Sequence, residues 1–255
     1  MRPVNRLMQG VAMTAVLAAG SASATTIDIL SVSGIWTSAT GSGGSISSGT
    51  NVITWGTPIL TDPSGYSFEA EEYPNTPPPT DVALGEVFDI GTFTHMNQRI
   101  TGTTLLDATL EVEISFTIDG VTPAVVATST FDFSHEETPN QRDGDTIFQV
   151  QCPYDGLNGQ GLNAEGCADR VVAETNVESS TPFNVNGQDY VLTFSGFKVG
   201  DDIFESFITE ERKDNEATLT AKLEAVPLPA AGWLLVAGLG GLAAMKRRKK
   251  ALADA

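Results

Sequence analysis

Two histidines, two cysteines and a surplus of carboxylates are the side chains of this chain that could do chemistry. His95 lies in Thr94-His95-Met96-Asn97, and His135 in Ser134-His135-Glu136-Glu137-Thr138-Pro139-Asn140. Imidazoles beside a carboxylate suit a borderline metal ion, and Glu136 or Glu137 could complete such a set. The competing reading is local, because His, Thr and Asn bond nearby backbone and fix turns. Each histidine sits among polar residues at a strand end, so the local reading is preferred and no metal site is expected. The zinc-protease spacing His-Glu-x-x-His is absent. Cys152 and Cys167 are too few for a Cys-only zinc site. In an oxidising compartment they would close a disulfide across a Gly/Asn-rich loop. Asp143-Gly144-Asp145 and Asp201-Asp202 offer oxygens of the kind calcium takes. They lack EF-hand spacing and read first as solvated turns. Calcium is kept as the alternative, and no other cofactor is expected. No Gly-x-Ser-x-Gly elbow, phosphate loop or dinucleotide fingerprint occurs. The expectation is a protein that is not an enzyme.

The elements that must position these residues are strands. Leu110, Val112, Ile114, Phe116 and Ile118 alternate with Glu111, Glu113, Ser115 and Thr117. Period two with one polar side marks a half-buried antiparallel strand. Asp119-Gly120 then signals a turn, with Ala124–Phe133 as partner strand. Asn186-Gly187 precedes Gln188–Phe197, which puts Tyr190, Leu192 and Phe194 on one face. Ala217–Val226 puts Leu219, Ala221 and Leu223 inward, with Thr218, Thr220, Lys222 and Glu224 outward. Further strands are expected at Ile27–Trp36, Val52–Trp55 and Ala83–Ile90. The Gly/Ser-rich stretch Thr37–Thr50 and the Pro-rich stretch Tyr73–Thr80 read as loops. The fold class is all-β, an antiparallel sandwich of jelly-roll or Greek-key character over residues 25–225. Trp36, Trp55 and Tyr66 could stack on sugars, but core positions suit them better.

The two ends carry addresses. Arg2 and Arg6, the apolar run Val11–Ala19 and Ala22-Ser23-Ala24 make residues 1–24 a secretory signal, cut between Ala24 and Thr25 by signal peptidase. Leu228–Met245 holds no charge and spans about 27 Å as a helix, enough for a thin bilayer core. Lys246, Arg247, Arg248, Lys249 and Lys250 follow at once as a basic stop, and such a block stays cytoplasmic. Residues 25–225 carry seven basic residues against 31 acids, a net charge of −24 within the chain's −18. That surface repels nucleic acid and anionic lipid. The outward-facing domain lies in an oxidising compartment, which favours the Cys152–Cys167 disulfide.

Val226-Pro227-Leu228-Pro229-Ala230, the Gly/Ala/Leu-rich span and the basic stop resemble the VPLPA variant of the PEP-CTERM sorting signal of Gram-negative bacteria. The resemblance implies that residues 226–255 are a sorting and anchor segment read by an exosortase, a membrane enzyme of cysteine-transpeptidase type. Two prolines keep such a motif extended, as a processing site needs. Thr94-His95-Met96-Asn97 is similar to the signature of the THxN family of PEP-CTERM proteins, which belong with the choice-of-anchor domains. That likeness implies a cell-surface setting, near exopolysaccharide, and supplies no activity. The expectation is an exported protein, anchored by its C-terminal helix and then displayed at the surface, with a structural or adhesive role. The alternative is a carbohydrate- or calcium-binding module.

Overall fold

The computed structural model describes residues 25–71, 80–120, 124–138, 151–174 and 181–226. One sheet is built from β1 (Thr26–Gly41), β2 (Gly44–Ser45), β6 (Val82–Ala83), β9 (Leu105–Ile118), β10 (Val125–Glu136), β11 (Asp169–Glu174) and β15 (Ser206–Thr209). Its order is β15-β11-β10-β9-β1-β2, with β6 also pairing β1. The second holds β3 (Val52–Trp55), β5 (Ser64–Ala70), β7 (Val87–Asn97), β12 (Phe183–Val185), β13 (Gln188–Val199), β14 (Asp202–Phe204) and β16 (Lys213–Ala225). Its order is β12-β13-β16-β7-β5-β3, with β14 on β13. A two-stranded ribbon joins β4 (Thr57–Pro58) to β8 (Ile100–Thr101). The strand pairs are antiparallel, and the described residues are all-β apart from a 3-10 turn at Gly161–Asn163, as the alternation requires.

Side-chain parity explains the packing. Leu110, Val112, Ile114, Phe116 and Ile118 are all buried, while the residues between them are half-buried or exposed. The same alternation buries Phe131 and Phe133 on β10 and Phe93 on β7. These rows meet between the sheets. Phe93 stacks on Phe133 with ring centroids 5.7 Å apart. Phe131 and Phe133 meet Phe194 at 5.0 and 6.0 Å. Trp36 reaches across to Tyr66 and Phe93 at 5.5 and 6.3 Å. Its indole N–H donates to the Asn51 carbonyl at 3.1 Å, so the ring is buried with its polar edge satisfied. Trp36, Trp55 and Tyr66 are therefore core residues, not sugar platforms.

The two turn signals hold. Asn186 and Gly187 take φ of 52° and 87°, and Asp119 and Gly120 take 50° and 66°. Left-handed backbone at both central positions matches the strand twist, and Asn186-Gly187 closes the pair Val185 and Gln188. Three expectations need correction. Thr37–Gly41 is not loop but the far end of β1, paired with β9 as far as Leu105. Ala83–Ile90 is two elements, because the chain turns at Gly85 before the longer β7 begins. Thr220 is buried, not outward: β16 shifts register beside it, and its hydroxyl donates to the Gly196 carbonyl at 3.0 Å. The expected signal segment (residues 1–24), the Pro-rich stretch and the expected span at 228–245 lie outside the described residues. Among the described residues no helix is long and apolar enough to cross a membrane.

Phe93 tests this packing, because it touches rings from both sheets. Phe93→Ala should lower unfolding free energy by about 3–5 kcal/mol, read from chemical denaturation. A loss under about 1 kcal/mol would contradict a shared core.

Candidate functional site

The inward rows do not stay apolar to their ends. On β7 the row Phe93, His95, Asn97 continues into polar groups, and on β10 the row Phe131, Phe133 continues into His135. His95, Asn97, Tyr66, Asp169 and Thr209 are fully buried, Glu211 is 1 % exposed and His135 6 %. The two histidines come from different sheets and meet edge to face, with ring centroids 5.1 Å apart. Trp55 stacks on His95 at 5.8 Å, and Tyr66 packs against both imidazoles. The expectation that each histidine fixes a local turn is overturned. The partner of His95 is Thr209, 114 residues away, and one partner of His135 is Tyr66, 69 residues away.

The hydrogen bonds define the protonation pattern. Thr209 Oγ1 lies 2.8 Å from His95 Nδ1 and 3.4 Å from the Asp169 carbonyl. A carbonyl can only accept, so in the arrangement that satisfies both contacts the hydroxyl gives it its single hydrogen and accepts from His95 Nδ1–H. His95 Nε2 is then a bare lone pair, and no partner meets it among the described residues. Burial, then the nearby His135, push the His95 pKa well below its ordinary value, so the ring stays neutral. His135 donates from Nε2 to Glu137 Oε2 at 3.2 Å, which leaves Nδ1 to accept from the Tyr66 hydroxyl at 2.6 Å.

The carboxylates are held from the disulfide loop. Cys152 and Cys167 are bonded, with Cα atoms 5.3 Å apart, as expected, but both are buried rather than at the surface. Asn163 organises the loop: its amide donates to the carbonyls of Tyr154 and Asp155, and its Oδ1 accepts from Ala168 N–H at 2.8 Å. The Cys167 carbonyl accepts from the Thr138 hydroxyl at 2.6 Å, and Thr138 N–H donates to Asp169 Oδ1 at 2.7 Å. Asp169 Oδ2, both Glu211 oxygens and Asn97 Oδ1 are buried with no partner among the described residues. Gly166 lets Glu211 lie there: at φ +150°, a Cβ would come within 2.8 Å of Glu211 Cγ.

Ligand atoms of His95, His135 and Asp169 lie within 4.8 Å of one another, and Glu137, Asp169 and Glu211 form a second such group around the shared Asp169. These are the residues that could hold a metal. Of the Thr94-His95-Met96-Asn97 motif, His95 and Asn97 enter the site, while Thr94 and Met96 are half-buried in the alternate positions. Asp169, Glu211 and Thr209 escaped sequence reading, and Tyr66 entered it only as a core ring that could stack on sugars. Nothing in their local context marks them, although the parity of Phe93-x-His95-x-Asn97 and Phe131-x-Phe133-x-His135 does point both histidines inward. Asp201 and Asp202 are exposed at a turn, and Asp143 to Asp145 lie outside the described residues. A separate surface groove of about 680 Å³, lined by residues including Leu30, Ser33, Asn51, Phe68 and Glu71, has no exposed aromatic ring among them. No protein-family model and no curated protein matches the chain.

Burial and the neighbouring Glu137 raise the Glu211 pKa from 4.5 to about 8, despite Arg99 and Arg212. Asp169 is raised well above its ordinary range by burial, Glu137 and Glu211. A raised acid favours the fold fully below its unfolded pKa and loses that advantage as pH climbs to the folded value. In chelator-treated protein, thermal stability should therefore fall by several degrees between pH 4.5 and 8. Glu211→Gln should flatten part of that slope, measured by calorimetry across the range. An unchanged slope would contradict a buried, protonated Glu211.

Proposed function

We propose that this chain is an exported surface protein with a structural or adhesive, non-enzymatic role, processed by an exosortase-type enzyme in a Gram-negative bacterium. In this reading residues 1–24 are removed by signal peptidase. Residues 228–245 hold the precursor in the membrane, with Lys246–Lys250 as the basic stop. The domain is a β-sandwich of Greek-key or jelly-roll type. Its strand order supports that class: the chain passes from sheet to sheet between β7 and β9, and again between β11 and β13.

The observation that carries the reading is the buried Cys152–Cys167 bond, which suits a chain that folds outside the reducing cytosol. A second feature agrees with it. The last of the described strands ends at Ala225, and Val226 is tied down from both sides. Its N–H donates to the Asp189 carbonyl at 2.8 Å, and its carbonyl accepts from Gln188 Nε2 at 2.8 Å. Cutting near Pro227–Ala230 would remove none of the described strands. The dense acidity suits a solvated face near exopolysaccharide.

Intact-mass spectrometry on protein recovered from the native host tests this. The expected species begins at Thr25, ends near Val226–Ala230 and gains about 2 Da on reduction. Replacing Pro227 and Pro229 with Ala should block the second cut and deplete the surface form. A chain running through Ala255, or processing that ignores both prolines, would overturn the sorting reading.

A further inference from the structure

The buried polar cluster is costly as bare protein. Four residues put polar atoms in it that no described residue meets: His95 Nε2, Asp169 Oδ2, Asn97 Oδ1 and both Glu211 oxygens. A buried polar atom without a partner is costly, so those of His95, Asp169 and Glu211, gathered around Asp169, ask for a shared positive charge. We infer that His95, His135 and Asp169, with Glu211 beside them, form a closed binding site for one borderline divalent transition-metal ion of the zinc class.

The donor set selects the ion. Two imidazoles and carboxylate oxygens suit zinc or cobalt, whereas calcium takes six to eight oxygens and magnesium keeps much of its water. Zinc donors at bond lengths of about 2.0–2.1 Å lie about 3.3 Å apart in a tetrahedron. The three ligand atoms already lie within 4.8 Å of one another, so each pair needs to close by at most about 1.5 Å. His95 is in the metal-binding tautomer, with Nδ1–H held by Thr209. Asp169 keeps Oδ1 on the Thr138 amide and turns Oδ2 free. His135 has both nitrogens engaged, and the longer bond, to Glu137, is the one an ion displaces. Its proton then sits on Nδ1, where the Tyr66 oxygen accepts it. Among the described residues Arg99 and Arg212 are the cations whose charge acts on Glu211. The near-complete burial of these ligands makes the ion a cross-link between sheets rather than a catalyst.

The full chain, purified in detergent with a histidine-free tag and stripped with chelator, should take up one equivalent of Co(II). It should show the visible bands of a four-coordinate ion, and Zn(II) should displace it. The chain has only two histidines, so proton NMR of the Co(II) form should show two shifted imidazole N–H signals, one from each. Thr209→Val should weaken Co(II) binding by about 10–100-fold. Asp169→Asn, which keeps the acceptor for Thr138, should abolish the rise in melting temperature that Zn(II) gives the parent. No stoichiometric uptake, uptake that shifts neither imidazole, or stabilisation by calcium but not zinc would each overturn the site. If Asp169→Asn does not fold, the imidazole signals of the parent chain decide the matter alone.

Discussion

The structure turns on the removal of charged and polar groups from water where the two sheets meet. Apolar rows close most of the interface, and rings such as Phe93 on Phe133 need no partner beyond contact. At one end the same rows carry imidazole, amide and carboxyl groups instead. Solvation is lost there just as fully, and only hydrogen bonds or charge can offset it. The observed answer is partial. Among the described residues His135 is satisfied at both nitrogens, Asp169 at one oxygen, and Glu211 at neither oxygen. The raised pKa values of Asp169 and Glu211 are the same fact in another form: the bare site tolerates these groups best when they are neutral.

That end of the molecule is also where distant parts of the chain are tied together. Asp169 opens β11 two residues after Cys167, and Thr138 follows β10 by two. Thr138 bonds both the Cys167 carbonyl and the Asp169 carboxyl, so the disulfide loop, the end of β10 and the start of β11 share one set of contacts. Thr209, at the end of β15, links Asp169 to His95 and Asn97 on the opposite sheet. The Cys152–Cys167 bond therefore does more than shorten a loop in the unfolded chain. It helps orient the carboxylate around which both acidic and imidazole groups gather.

Alternation made much of the fold legible in sequence. The row from Leu110 to Ile118, the two left-handed turn pairs and the exact span Val52–Trp55 follow from period two and turn chemistry alone. Long β1 was not legible past Trp36, because Gly and Ser say nothing of pairing; the β9 residues from Leu105 to Thr109 hold that segment as strand. The histidines were visible and misread. Glu137 does bond His135 locally, but the other contacts of the two rings reach far along the chain, to Tyr66, Trp55 and Thr209. Asp169 and Glu211 could not be singled out among 32 acids. Which two of them are buried depends on how a loop closed by Cys167 and a turn after Thr209 fold over the sheet ends.

A site assembled this way couples local chemistry to global stability. Its members come from β5, β7, β10, β11 and the segment after β15, drawn from both sheets, so no short piece of chain can form it. Contacts between such distant segments form late, because loop closure must precede them. Any ligand that binds only the assembled cluster therefore stabilises the whole fold by its full binding free energy. Conversely, charging Glu211 or Asp169 without a counter-charge loosens the end of both sheets at once, since Thr209 and Thr138 join them. The polar end is thus the place where a change of ion or proton concentration reaches the entire domain, while the aromatic rows that form the rest of the interface respond to neither.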